Sequence, residues 1–100
     1  MGILNTLRRK LKNDPVSFEG GTGDCRENAV VILAPNCIAG IMAEYKFIED
    51  QCGVQNQDWK LIGQFKLSGE SKDYDMITIE TKDGIRKSFY FDITDFFGKF

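Results

Sequence analysis

Residues 77–91 read Ile77-Thr78-Ile79-Glu80-Thr81-Lys82-Asp83-Gly84-Ile85-Arg86-Lys87-Ser88-Phe89-Tyr90-Phe91, two alternating runs parted by Asp-Gly. Asp-Gly in that setting predicts a tight hairpin, because a type I′ turn needs positive φ at both central residues. A two-residue turn sets Lys82 opposite Ile85, Glu80 opposite Lys87, Thr78 opposite Phe89, Met76 opposite Phe91 and Tyr74 opposite Ile93. Opposite residues share a face, so this register makes one ion pair and several aromatic contacts. It sends Ile77, Ile79, Ser88 and Tyr90 to the other side.

Working outward, Trp59 to Leu67 is an alternating run that pairs with Tyr74 to Lys82, which in turn pairs with Ile85 to Ile93, as a three-stranded antiparallel meander. In this register one face carries Trp59, Leu61, Phe65, Leu67, Met76, Phe89 and Phe91 and is the natural seat for a helix. The other carries Ile62, Ile77, Ile79 and Tyr90, a smaller apolar patch that needs a cover.

The helix lies just upstream. Pro35 and Asn36 are start signals and Gly53 is a stop, which predicts about sixteen helical residues. Ile38, Ile41, Met42, Tyr45, Ile48 and Cys52 form one stripe, expected to pack on the sheet, and Phe47 falls almost opposite Ile38, outside that pattern. Ahead of the helix, Ala29-Val30-Val31-Ile32-Leu33-Ala34 is apolar at both parities and reads as a central strand of the same sheet. Thr94 to Phe100 begins like a capped helical turn, and its three phenylalanines are candidate covers for the second face.

The expected architecture is therefore α+β: strand, long helix, then meander in one sheet, with a short amphipathic helix ahead of it. One hundred residues hold one core of ordinary size. Residues 1–12 form the amphipathic basic segment, 13–27 a loop with a short strand at Val16 to Phe18, and 28–100 the α+β core.

The net charge of -2 is unevenly placed. Arg8, Arg9, Lys10 and Lys12 give the first twelve residues +4, which leaves -6 for the rest. An acidic body argues against nucleic acid as a partner. Ile3, Leu4, Leu7 and Leu11 fall within about a 100° arc of a helix that Asn13-Asp14-Pro15 ends. Such a segment can cover apolar surface of its own chain, the patch at Ile62, Ile77, Ile79 and Tyr90 being the expected target, or it can lie on a membrane. Met1-Gly2 with Thr6 also fits a myristoylation pattern, and a basic cluster beside an acyl chain is a two-signal anchor.

Chemistry-bearing residues are sparse. The chain has no histidine, which removes imidazole-based triads and metal sites. Gly20-Gly21-Thr22-Gly23-Asp24 lacks the lysine of a phosphate loop and is followed by a strand, and the carboxylates Glu19, Asp24 and Glu27 lack the spacing of a calcium loop. Cys25, Cys37 and Cys52 have no metal-ligand spacing, and the last two lie too far apart along one helix for a disulfide. The expectation is free thiols in a cytoplasmic protein with no metal and no cofactor. Cys25, beside Arg26, is the candidate reactive thiol, and Asp92 with Asp95 is the candidate acid–base pair.

Glu27 to Ile32, Ala39 to Tyr45 and Tyr90 to Gly98 resemble segments of small uncharacterised bacterial proteins. The resemblance spans most of residues 18 to 98, implies a bacterial source and implies no site. The function these observations favour is a non-catalytic interaction module, whose partner is a protein or a second copy, with Phe47, Ile62, Ile77, Ile79 and Tyr90 as its surface. A small-molecule site near Trp59 or Tyr90, peripheral membrane association and a thiol- or carboxylate-dependent enzyme are the alternatives.

Overall fold

The computed structural model describes residues 15–100. The expected N-terminal helix, with Ile3, Leu4, Leu7, Arg8, Arg9 and Leu11, and the Gly2 lipidation pattern lie outside the described residues. Among the described residues the fold is α+β, with one α-helix on one face of a five-stranded mixed sheet. Strands β1 (Ser17–Gly20), β2 (Val30–Leu33), β3 (Trp59–Ser68), β4 (Asp73–Thr81) and β5 (Arg86–Asp92) are ordered β1-β2-β5-β4-β3. Helix α1 (Cys37–Cys52) follows β2.

Two features differ from the expected sheet. Residues 17–20 form a fifth strand, antiparallel to β2 at the sheet edge. β2 lies parallel to β5, with Val30 beside Phe91, so the sheet is mixed rather than antiparallel. The parallel pair is possible because α1, β3 and β4 intervene, giving the chain the long crossover that a parallel connection needs.

The register of the hairpin is also corrected, by one residue. Glu80 faces Arg86, Ile79 faces Lys87, Ile77 faces Phe89 and Met76 faces Tyr90. The loop holds three residues, not two. The Gly84 amide donates to the Thr81 carbonyl, the Thr81 amide donates to the Ile85 carbonyl, and Gly84 takes φ 83°. A type I turn followed by one left-handed residue is the next hairpin class after I′, and it asks for glycine only at its last position. Since side chains alternate, the single extra loop residue changes every cross-strand partner. Ile77, Ile79, Phe89 and Phe91 thereby meet on one face and are all buried.

That face carries the core. Val30, Ile32, Trp59, Ile77, Ile79, Phe89, Phe91 and Ile93 pack under α1, with Phe18 and Phe47 against them. Asn36 caps the helix, its Oδ1 accepting from the Ala39 amide at 2.9 Å, and Gly53 ends it with φ 101°. Phe96 is buried against the start of α1, where a Cβ on Gly40 would lie 2.5 Å from its ring. Of the three C-terminal phenylalanines, then, Phe96 seals the helix side, whereas Phe97 and Phe100 are exposed. No helix among the described residues is long and apolar enough to cross a membrane.

Candidate functional site

The helix rests on only part of the stripe that its hydrophobic pattern favours: Ile48 is buried, and Tyr45 and Cys52 pack against the core. Ile38, Ile41 and Met42 are 74%, 42% and 68% exposed, while Gly40, Ala43, Glu44 and Ile48 are buried. At 100° per residue this is a rotation of roughly 100° about the helix axis. Phe47, unplaced by the stripe, sits at the centre of the contact, with its ring centroid 5.8 Å from Phe18, 6.3 Å from Phe89 and 5.6 Å from Phe91. Gly40 permits the close approach of Phe96, and Phe47 supplies the bulk, so the helix seats by the face that joins them.

Two consequences follow from that rotation. The first is an apolar groove of 640 Å³ between β1 and the flank of α1. Val16 and Phe18 form one wall, and Ala39, Met42 and Ala43 form the other. Small alanines leave the space open, and the four-residue edge strand is too short to close it. Glu49, Asp50 and Lys46 stand at its end, with Lys46 Nζ 2.9 Å from Asp50 Oδ1. That hydrogen bond and the charge of Asp50 hold the Lys46 ammonium above its usual range.

The second consequence is that Glu44 faces the sheet. Its side chain is fully buried, and neither carboxyl oxygen has a hydrogen-bond donor. Its neighbour is another buried acid, Asp75 of β4. Two carboxylates facing each other are acceptors only, and a proton on Glu44 supplies the missing donor to Asp75. Burial first, then the hydrogen bond and charge of Asp75, push the Glu44 carboxyl up to about 10, with Lys66 opposing weakly. Lys66 lies across the ladder from Asp75 and holds its ammonium 3.0 Å from the Phe97 ring centroid. Tyr45, next along the helix, donates to Gln64 Oε1 at 2.9 Å, and desolvation raises its phenol as well.

The residues singled out in the sequence are dispersed. Ile77 and Ile79 are fully buried in the core and Phe47 is packed against it, whereas Ile62 is exposed and Tyr90 is half-buried on the opposite side of the sheet, so these five share no surface. Cys25 is an exposed free thiol at the start of a 3-10 turn (Arg26–Asn28). Asp92 Oδ1 accepts from the Thr94 amide and hydroxyl at 3.0 and 2.7 Å, and its other oxygen lies 3.6 Å from Lys72 Nζ. Asp95 Oδ2 accepts from the Ala34 amide at 3.0 Å. Asp92 therefore holds the turn after β5, and Asp95 ties the chain after β5 to the end of β2. No group of three or more potential metal ligands occurs among the described residues. Near Trp59 there is an open depression edged by Asn56, Gln57, Lys60 and Glu80, polar side chains for the most part.

The groove and the Glu44–Asp75 pair were both missed by pattern reading. The signal for them is the series Gly40, Ala43, Glu44, Phe47, Ile48, which has the same helical spacing as the stripe beginning at Ile38. Mid-helix glycine costs about 1 kcal/mol against alanine and asks for a packing reason, which marks that series as the inner one.

Comparison with protein-family models, with curated proteins and with solved structures gives no match.

Proposed function

We propose that this protein is a non-catalytic interaction module that receives an amphipathic, basic protein helix in the groove between β1 and α1. The observation that carries the reading is the outward turn of the α1 flank: Met42 is exposed beside Ala39 and Ala43, facing Val16 and Phe18 across an apolar channel. A helix laid in such a channel buries leucine-sized side chains at i, i+4 and i+7, the helix-in-groove mode of recognition. With Asp50 paired to Lys46, Glu49 leaves a net negative charge at its end, which favours a cationic flank over an acidic one. The engagement of Asp92 and Asp95 in hydrogen bonds to backbone amides supports a role other than acid–base catalysis.

A fluorescently labelled designed peptide tests this, about fourteen residues long with leucines along one helical face and lysines along the other. It is expected to bind the full chain saturably and to lose at least tenfold in affinity against Ala43→Arg. A scrambled peptide of the same composition should bind no better than that variant allows. Equal binding of the designed and scrambled peptides, or indifference to Ala43→Arg, overturns the reading.

A further inference from the structure

We infer that a second copy of this chain covers the exposed apolar stripe of α1, the two α1 helices lying antiparallel across a two-fold axis. This goes beyond the groove, which opens on the other flank of the helix. At 100° per residue Ala39 and Ala43 fall on one side of Met42, and Ile38 and Ile41 fall on the other.

The first support is area. Ile38, Ile41 and Met42 stand in water although α1 is seated on the sheet by another face. The C-terminal turn lies beside them, since the Cys37 amide donates to the Lys99 carbonyl at 2.7 Å and the Cys37 thiol to the Phe96 carbonyl at 3.4 Å. That turn adds Phe97, 47% exposed, and Phe100, exposed over its whole surface. At about 200 Å² for a large apolar side chain, the exposed parts of these five come to roughly 650 Å² per copy. Across a two-fold axis that is about 1,300 Å², within the range that stable interfaces bury. A helix that is apolar on two faces asks for cover on both.

The second support is charge, which also fixes the direction. Ile38, Met42, Tyr45 and Glu49 follow one another at intervals of four, three and four residues, so Glu49 ends the same row of α1. Lys46 and Asp50 neutralise each other at 2.9 Å, which leaves Glu49 as the net charge at that end. The opposite end of α1 has no acidic residue in its first turn. Lys99 stands beside it, 3.8 Å from Asp95 and still more than half exposed. Antiparallel helices that meet between Ile41 and Met42 bring Glu49 of each copy to the start of the other helix, where the positive end of the dipole and Lys99 receive it. Apolar side chains then fill the middle, Ile38 of one copy meeting Tyr45 of the other. A parallel pair would set Glu49 beside Glu49.

Sedimentation equilibrium on the full chain tests the inference. A reversible monomer–dimer equilibrium is expected, with a dissociation constant below about 100 µM. Ile38→Glu should weaken it at least tenfold while keeping the urea midpoint of the dilute, monomeric parent, because Ile38 is exposed in the monomer. Glu49→Lys and Lys99→Glu should each weaken it several-fold. Combined, they should recover most of the parent's affinity, since the two charges are then exchanged rather than lost.

A chain that remains monomeric at about 200 µM overturns the inference, including one that instead adsorbs through Ile38 to phosphatidylglycerol vesicles. So does a dimer indifferent to Ile38→Glu, which locates the contact elsewhere. A double charge variant that associates no more tightly than either single one overturns it too, because the antiparallel direction requires the recovery.

Discussion

Asp92 and Glu44 are both withdrawn from water, and their surroundings are opposite. At Asp92 the chain supplies two donors from Thr94 and, 3.6 Å away, the ammonium of Lys72. At Glu44 the surroundings are the underside of a helix and a second acid, so the carboxyl is received only as a neutral group. The first arrangement ties β5 to the turn after it. The second places a titratable group at the helix–sheet contact, where its ionisation opposes the seating of α1. The same carboxyl group thus has opposite effects depending on whether donors or acceptors surround it.

The widest effect of that contrast is in the pH dependence of stability. Glu44 sits at about 10 in the folded chain, above its ordinary value of 4.5, so between those limits the folded state holds a proton that the unfolded state releases. Stability from this group is fully present below the lower value and is lost as pH rises toward the upper one. Urea midpoints are expected to fall steadily from about pH 5 to pH 9, the Glu44 contribution approaching about tenfold in the folding equilibrium per pH unit. Glu44→Gln sharpens the comparison, since its amide donates to Asp75 without needing a proton. Its midpoint should match the parent near pH 5 and exceed it increasingly as pH rises, the gap widening by up to about tenfold in the folding equilibrium per pH unit. A parent whose midpoint is flat over this range, or a Gln variant with the parent's slope, breaks the contrast.

Smaller effects belong to the Asp92 end. Asp92→Ala removes the acceptor for the Thr94 amide and hydroxyl and should cost about 1–3 kcal/mol by denaturant melts. Lys72→Ala removes an exposed partner at 3.6 Å and should cost less than about 1 kcal/mol, shrinking further in added salt.

What could be read from the chain follows the same line between local and global information. The cap at Asn36, the stop at Gly53 and the presence of a turn at Asp83-Gly84 are local signals, and each acts where the residues put it. Which side of an element faces inward is decided by its neighbours. One added loop residue moved Ile77 and Ile79 into the core. A second series of helical spacing, built on Gly40 and Phe47, displaced the more hydrophobic stripe of Ile38, Ile41 and Met42. The groove could not be read because it is the by-product of that rotation. Glu44 was passed over because a glutamate in a helix is ordinarily solvated, and only the packed sheet shows its partner to be another acid.

The strand order has a consequence for biosynthesis. β5 lies in the middle of the sheet but comes after every other strand in the sequence. As the chain leaves the ribosome, β1 with β2 and β3 with β4 can pair as separate hairpins, each with an apolar face that has no cover. The two halves become one sheet only when β5 inserts between them, bringing Phe91 beside Val30 and Phe89 beside Ile77. Until then the edges of β2 and β4 are open in addition to those of β1 and β3, the condition under which strands from neighbouring polypeptides pair wrongly. A pause in translation before residue 86 should therefore favour aggregation, and one after residue 92 should not.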